Sequence, residues 1–498
     1  MLPSSTTRRT QLAAALFVAF AAAATFAPAL QNGWVPWDDE ALVLNNPHIR
    51  AFSLDNLYWM ATTIDTANYQ PLGNLSYALD YKLWGLDARG FHLTSLLLHA
   101  LNAVLVYVLT LRLLQPAFGA RRQDADLAAA AAFGALLFAL HPLRVESVAW
   151  ASERREGIAA FLYLAGLLAY LEAARQRRRR WLAASLGLIT LAGATKALTI
   201  TAPIILVALD WYPLRRLPAD PLRWRESSRT LWLEKIPFIL VSLAGAALGY
   251  ITQKSGGAVW DWNHYGLAPR LAQTGYGLVF YLRKTLWPSG LSPLYAVPPR
   301  FTPWEPRFLL CWSAVAAITT LAWRSRLSKP GWLAAWIGYG ALLAPVLGLS
   351  QAGHQFTADR YSYLACLGWS TLAASGWLSI ASSSRPRARA AVSLGAGSVL
   401  LALALATGRQ IAVWRDALSL WTRAVEVEPW SSLARNNLGL AFGRLGRLDE
   451  AAAQFTTLLN INPNCATPDH ANPDRLCAVA RRHLLTTLAA REHRRRLY

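Results

Sequence analysis

The sequence predicts an all-α membrane protein of about eleven transmembrane helices, followed by a short helical domain at its C-terminal end. Of its 498 residues, 54% are apolar and 15% are charged, against roughly 25% charged in an ordinary soluble domain. Apolar runs of about 17 to 24 residues are long enough to cross a hydrocarbon layer of ~30 Å at ~1.5 Å per residue. After residue 410 these runs give way to amphipathic helical patterning. A soluble globular protein is therefore excluded.

The apolar runs predict the membrane spans, which in chain order are 11–30, 91–114, 127–143, 157–173, 180–195, 198–213, 236–252, 306–323, 331–348, 361–381 and 388–407. A further apolar stretch, 271–287, carries Arg283 and Lys284 in its last turn. We expect this stretch to be an interfacial or re-entrant helix inside the interfacial segment 253–305.

The basic residues predict the orientation. Lys and Arg number 49 against 28 Asp and Glu, a net charge of +21, yet most of them lie in short loops between spans. With a cytoplasmic N-terminus and 271–287 uncrossed, all the strongly basic short loops fall on the cytoplasmic side, as membrane proteins prefer, namely 121–122, 177–180, 214–229, 324–329 and 385–389. The sequence thus predicts a multi-pass protein of a bacterial inner membrane, with no nucleic-acid partner and with residues 410–498 in the periplasm.

The C-terminal region resembles a helical repeat array. Trp421, Ala424 and Pro429 recur as Phe455, Leu458 and Pro463, each 34 residues later, and 34 residues is the period of tetratricopeptide repeats. Within 436–455, small Gly439 and Ala451 allow two helices to approach, and Gly446 breaks between them. Because such arrays need about three repeats, we expect this one to pack on the membrane domain or on the helix predicted at 475–496. Cys465 and Cys477 are either disulfide-bonded or two free thiols.

Two adjacent carboxylates are the first candidate for chemistry. Asp38 and Asp39 follow the first span in an outward-facing segment, 31–90, that is too long for a passive turn. Shielding from water and mutual repulsion both raise a carboxylate pKa, which improves a general base near neutral pH. The alternative is a membrane helix that simply ends in hydrated acids.

Further polar residues are predicted on the same face of the membrane. They comprise His141, Arg144, Glu146, Glu153 and Arg154 within 141–156, Lys196 between two spans, and His354, Asp359, Arg360 and Tyr361 within 354–363. Arginine and lysine can hold a lipid phosphate by charge-assisted hydrogen bonds, and a carboxylate beside them can take a proton from an acceptor hydroxyl. Together these residues favour transfer of a group from a lipid-linked phosphate. A salt-bridged loop and snorkelling side chains are the structural alternatives.

The order of these motifs resembles a known family. WDDE at 37–40, NYQPLGNLSYALDYKLWGLDARGFHLTSLLLHALNAV at 68–104, HPLRVESVAWASER at 141–154, ADRYSYL at 358–364 and the repeat region follow one another. This order is similar to bacterial relatives of the transmembrane and tetratricopeptide-repeat-containing O-mannosyltransferases, which resemble the wider GT-C glycosyltransferase superfamily. The resemblance extends from about residue 34 to residue 465 and implies a GT-C-like transmembrane domain over residues 1–409.

The resemblance implies an inverting transfer of a sugar, mannose, from a polyprenyl-phosphate donor to a hydroxyl of a periplasmic protein or envelope glycan. Asp38 and Asp39 become the catalytic pair, with Asp38 as the general base. The implied donor-binding residues are Arg154, Lys196, Arg360 and His354, and the supporting residues are His141, Glu146, Asp359 and Tyr361, with Glu146 positioning Arg154 or the sugar.

The sequence also departs from that family. Eukaryotic members tend to have Arg where this chain has Gln70, so no arginine is available there for a donor phosphate, and their repeat arrays are much longer. The alternatives are a glycan polymerase or ligase that uses a lipid-linked oligosaccharide, a non-enzymatic repeat scaffold, and a transporter. Acids deep within spans are scarce, which disfavours the transporter. No cofactor is certain, and a divalent cation stays open.

Overall fold

The computed structural model describes residues 5–118, 124–196, 200–262, 265–298, 302–351, 353, 355–381, 386–462, 465 and 475–497. These residues are overwhelmingly helical, and the predicted all-α class is confirmed. The α-helices of this part of the chain are α1 (Ser5–Phe26), α2 (Leu54–Thr62), α3 (Pro71–Trp84), α4 (Ala88–Phe118), α5 (Asp124–Ala139), α6 (Val145–Ala149), α7 (Arg154–Gln176), α8 (Arg179–Gly193), α9 (Ala202–Trp211), α10 (Arg229–Leu233), α11 (Ile236–Ser255), α12 (Leu267–Leu286), α13 (Pro306–Arg324), α14 (Pro330–Leu343), α15 (Leu367–Ala381), α16 (Pro386–Val413), α17 (Ala417–Val427), α18 (Ser432–Arg444), α19 (Leu448–Ile461) and α20 (Arg475–Leu497).

In the described part of the chain, four short strands form two antiparallel pairs. β1 (Ile64–Asp65) pairs with β2 (Asn68–Tyr69), and β3 (Tyr295–Ala296) pairs with β4 (Gln355–Thr357). The second pair joins two segments that are far apart in the sequence.

The protein is a multi-pass membrane protein. Within the described ranges, six helices are long and apolar enough to span a membrane, namely Thr6–Gln31, Ala88–Phe118, Ala151–Gln176, Arg229–Ser255, Pro306–Arg324 and Pro386–Val413. A seventh span results if α5 and Pro142–Ala149, bent by 56°, are taken together. The other four predicted spans correspond to shorter helices of 10 to 15 residues, α8, α9, α14 and α15. Each of the eleven predicted spans therefore overlaps a helix. Six of these helices are, as single helices, long and apolar enough to cross a membrane.

Helix α4 lies at the centre of the bundle, packed on α1, α5 and α7. Close approach elsewhere depends on small residues: a Cβ at Gly166 of α7 would lie 2.7 Å from Ile189 of α8. This is the close backbone approach that small residues permit between membrane helices.

Alternate connections between the helices meet at one end of the bundle, here termed the loop end. Its described residues are 27–87, 140–153, 194–196, 200–201, 256–262, 265–298, 302–305, 344–351, 353 and 355–366. Contacts between these connections show that they share this end. Asp39 accepts from Ser152 N at 3.0 Å, Lys196 pairs with Glu153 at 3.1 Å, and Glu146 accepts from Arg360 N at 2.8 Å. The amide of Trp260 also donates to Gln351 O at 3.0 Å. The polar candidates that lie within the described residues are therefore brought to the same end.

The C-terminal helices pack on this same end. Trp421 of α17 lies 5.0 Å from Trp37, ring centroid to ring centroid, and Arg444 pairs with Glu40 at 2.9 Å. Helices α18 and α19 form the expected hairpin: a Cβ at Gly439 would lie 2.6 Å from the Phe455 ring. The hairpin turns at Gly446, whose φ of +71° suits glycine. Helix α20 packs on α19 and α18, and a disulfide joins Cys465 to Cys477.

Candidate functional site

The acidic doublet divides into one buried and one partly exposed carboxylate. Asp39 is 0% exposed and accepts hydrogen bonds from Val35 N at 2.9 Å, Ser152 N at 3.0 Å and the Ser152 hydroxyl. Burial raises the pKa of Asp39 to about 6. Asp38 is partly exposed and lies close enough to Arg155 for their charges to interact. A single π-helical turn, Glu40–Leu44, follows the doublet. Asp39 therefore anchors the doublet on Ser152, which leaves Asp38 as the carboxylate nearer to solvent.

A group of ion pairs lies next to Ser152 and is here termed the ionic cluster. It consists of the cations Arg155, Lys196 and Arg360 and the carboxylates Glu146, Glu153 and Glu156. Glu153 accepts from Arg155 and from Lys196, each at 3.1 Å, and lies 3.9 Å from Arg360. Glu156 also pairs with Lys196. Glu153 and Glu156 are three residues apart at the start of α7, so their side chains lie on the same side of the helix.

Arg360 joins the ionic cluster from the other half of the chain. It lies in the turn Asp359–Ser362 that follows β4. Glu146 accepts from the Arg360 amide at 2.8 Å and from its guanidinium. The guanidinium also lies 4.9 Å from the Tyr361 ring centroid and 5.6 Å from that of Trp150. Arg360 is thus held at three sides by a carboxylate and two aromatic rings.

The cations of the ionic cluster are more exposed to solvent than its carboxylates. The exposed side-chain fraction is 20% for Lys196, 11% for Arg155 and 10% for Arg360, whereas the three carboxylates are at most 4% exposed. The carboxylates therefore lie behind the cations and fix their positions. Such an arrangement presents positive charge and N–H donors to an anion that approaches from outside.

Asp359 has its hydrogen-bond partner outside the ionic cluster. It accepts from the Tyr295 hydroxyl at 3.0 Å, and burial, with the charge of Glu146, raises the pKa of Asp359 to about 8. Tyr295 belongs to β3 and Asp359 follows β4, so this hydrogen bond joins the two strands of the second pair at one end.

The structure separates several predicted site residues from the ionic cluster. The side chain of Arg154 is 0% exposed and pairs with Asp80 at 2.6 Å, while it also donates to Phe91 O at 2.7 Å. Glu146 therefore pairs with Arg360 and not with Arg154. His141 accepts from Leu143 N at 3.2 Å and bonds Thr285 O at 3.0 Å, so it holds the end of α12. His354 lies outside the described residues.

Sequence reasoning missed Arg155 as a member of the site. The dipeptide Arg154–Arg155 could have indicated it. Consecutive residues of a helix point in different directions, so if one arginine is turned away from the loop end, its neighbour is the candidate. Within the described part of the chain, no group of three or more His, Cys, Asp or Glu side chains could hold a metal ion.

Comparison with known proteins supports the resemblance. The chain is 26% identical to protein O-mannosyl-transferase Tmtc3 of Drosophila melanogaster over 495 aligned positions, which cover 85% of this chain and 52% of that protein. It is 34% identical to Tmtc2 of Drosophila melanogaster over 191 positions, 35% of this chain and 19% of that one. Human TMTC4 is 28% identical over 177 positions, 33% of this chain and 24% of its own. The resemblance in sequence is thus confirmed, although the chain spans about half the length of Tmtc3.

Among solved structures, ArnT from Cupriavidus metallidurans, bound to undecaprenyl phosphate, aligns with 92% of this chain and 76% of its own, with a TM-score of 0.38 and 15% identity. No protein family model matches the sequence.

Proposed function

We propose that this chain is a membrane glycosyltransferase that moves a sugar, mannose, from a polyprenyl-phosphate donor to a hydroxyl of a periplasmic protein or envelope glycan, with inversion. Its relatives are named protein O-mannosyl-transferases. The observation that carries the proposal is that the acidic doublet is anchored on Ser152, directly before Glu153 of the ionic cluster. A candidate base and a candidate phosphate site are thereby joined through one short segment.

The proposed reaction is a direct displacement. The acceptor oxygen forms a bond to the anomeric carbon as the bond from that carbon to the phosphate oxygen breaks. Asp38 takes the proton of the acceptor hydroxyl, and polyprenyl phosphate leaves with the bonding electron pair. A positioned general base contributes ~10²–10⁴ in rate.

The cations of the ionic cluster are the proposed binding site for the donor phosphate. Although burial acts in the opposite direction, Glu156 and Glu153 raise the pKa of Lys196, so its ammonium stays charged at neutral pH. Because the carboxylates already fix the cations, little reorganisation is needed when charge develops on the leaving phosphate.

The test is transfer of label from polyprenyl-phosphate sugars to envelope extract by the purified protein. We expect Asp38→Asn to lower the transfer rate by a factor of about 10² to 10⁴ without lowering the melting temperature. Asp87→Asn is the matched control. Asp87 is an exposed carboxylate at the loop end, and its side chain accepts a hydrogen bond from Arg89 N. If Asp38→Asn and Asp39→Asn both transfer sugar at the parent rate, the catalytic assignment is wrong.

A further inference from the structure

Two buried amide side chains at the start of α3 have unused hydrogen-bonding groups. Gln70 is 1% exposed and Asn74 is 0% exposed. Among the described residues, Gln70 Nε2 and both amide atoms of Asn74 have no hydrogen-bond partner. Buried polar groups are nearly always bonded in folded proteins, so each exception needs a physical reason.

These amides lie between the two halves of the proposed site. Residues 70, 74 and 77 share one helix face. Gln70 Oε1 lies 3.4 Å from an Arg155 guanidinium nitrogen, and the Tyr77 hydroxyl donates to Ser152 O at 2.6 Å. Asn74 comes between residues 70 and 77 along this face. The amides therefore stand next to Arg155 of the ionic cluster and next to the segment whose Ser152 holds the acidic doublet.

The chemistry of an amide matches that of sugar hydroxyls. An amide offers both donors and an acceptor, as a pair of neighbouring hydroxyls does. It carries no charge, so it supplies no counter-ion to an amino or carboxylate substituent. A site built to bond hydroxyls also discriminates strongly, because its own polar groups remain unpaired when the wrong ligand binds.

We propose that Gln70 and Asn74 form a subsite for the hydroxyl groups of the donor sugar, and that this subsite selects a neutral hexose. The inference rests on the proposed function, since it takes the donor phosphate to bind at Arg155, Lys196 and Arg360. Both amides are covered by protein, so a local opening of the structure is required before a sugar can reach them.

The melting temperature distinguishes a residue that binds the sugar from a residue that only stabilises the fold. Replacing a buried amide that lacks partners with an apolar side chain of similar size removes an unpaired polar group, which favours the folded state. We therefore expect Asn74→Leu to keep or raise the melting temperature while it weakens sugar binding. A residue that only stabilised the fold would show the opposite pattern.

The experiment measures binding to the full-length purified protein without acceptor. The probes are polyprenyl phosphate and polyprenyl-phosphate mannose, glucose and galactose. We expect the parent to bind at least one hexose lipid more tightly than bare polyprenyl phosphate. In Asn74→Leu, the ratio of the affinity for the hexose lipid to the affinity for bare polyprenyl phosphate should fall by about tenfold. A fall of this size corresponds to the loss of one or two hydrogen bonds. The affinity for bare polyprenyl phosphate should stay unchanged.

Two further variants complete the test. Gln70→Met keeps the length of the side chain and should also reduce the preference, which covers the case in which Asn74→Leu fails to fold. Asn102→Leu is the control: Asn102 is equally buried but donates to Gly157 O at 2.9 Å and to the Tyr363 hydroxyl at 3.2 Å. We expect this control to lower the melting temperature and to leave the preference intact.

The proposal is overturned if the parent binds every hexose lipid no more tightly than bare polyprenyl phosphate, or if Asn74→Leu and Gln70→Met both keep the parent preference. Because binding is measured without turnover, a chain that prefers a hexose lipid yet transfers no sugar contradicts the proposed function alone.

Discussion

Neighbouring residues of the same type have different environments at the loop end. Asp39 is buried with three hydrogen bonds, whereas Asp38 is partly exposed. Arg154 is sealed against Asp80, whereas Arg155 belongs to the ionic cluster. In both cases one residue is fully buried and its neighbour is the more exposed of the two.

The doublet yields a prediction about stability. Asp39→Asn loses carboxylate acceptors that bind Ser152 and Val35, and hydrogen bonds to charged groups contribute about 1.5–3 kcal/mol each. We expect the free energy of unfolding to fall by about 2 kcal/mol, measured from melting curves, while Asp38→Asn changes it little. Equal melting temperatures for the two variants would contradict this division of roles.

The arginine pair yields a second prediction. Arg154→Gln leaves Asp80 buried without its cation, and loss of one partner of a buried ion pair costs about 3–5 kcal/mol. We expect a lower melting temperature for Arg154→Gln. Arg155→Gln should instead weaken binding of polyprenyl phosphate by about tenfold with a smaller change in melting temperature. The prediction fails if Arg154→Gln is the variant that loses lipid affinity at parent stability.

At the scale of elements, the C-terminal helices are fastened to the segment that carries the acidic doublet. Trp37, directly before the doublet, packs between Trp150 and Trp421, with ring centroids 5.0 Å away on each side. Trp414 also stacks on Trp150, with the ring centroids 5.5 Å apart. Aromatic pairs of this kind contribute about 0.5–1.5 kcal/mol beyond the area they bury. The position of the doublet therefore depends on α17 as well as on the membrane helices.

A pH-dependent contact also joins the C-terminal helices to β3. Glu428, just after α17, accepts from Ala296 N of β3 at 2.6 Å, and burial raises the pKa of Glu428 from 4.5 to about 8. Because the folded state holds this proton more tightly than the unfolded state, the contribution of Glu428 to stability is greatest below pH 4.5 and falls until about pH 8.

We expect Glu428→Gln, which keeps an acceptor but cannot ionise, to reduce the difference in melting temperature between about pH 5 and about pH 8.5. Glu426→Gln is a control on the exposed face of α17, where Glu426 pairs with Arg423. Identical pH profiles for the parent and Glu428→Gln would refute the assignment.

At the scale of the whole molecule, the candidate site and the C-terminal helices share one end of the bundle. The distribution of basic loops predicts that this end faces the periplasm and that the loop 214–229 faces the cytoplasm. In a background without Cys311 and Cys366, single cysteines at exposed Asp87, Glu426 and Arg225 test the orientation.

A membrane-impermeant maleimide added to intact spheroplasts should label the first two positions and should reach the third only after lysis. Labelling of Asp87→Cys and Glu426→Cys from opposite sides would overturn the orientation and the shared end together.

Local patterns in the sequence determined the membrane class, the eleven helical segments and the α18–α19 hairpin. Hydropathy and repeat spacing act over one or two dozen neighbouring residues, so they can be read without knowledge of the fold. The same patterns identified Asp38, Lys196 and Arg360 as candidates, because charged residues beside membrane spans are conspicuous.

The tertiary structure alone decided which of these side chains meet. Glu146 pairs with Arg360, 214 residues later, and not with the nearby Arg154. It also placed Arg155, and not Arg154, in the ionic cluster. Among the described residues, it left Gln70 Nε2 and both amide atoms of Asn74 without a hydrogen-bond partner. The physical reason is that an ion pair or hydrogen bond depends on side-chain direction and on a few ångströms of distance. Those quantities are fixed only when helices distant in the sequence pack together.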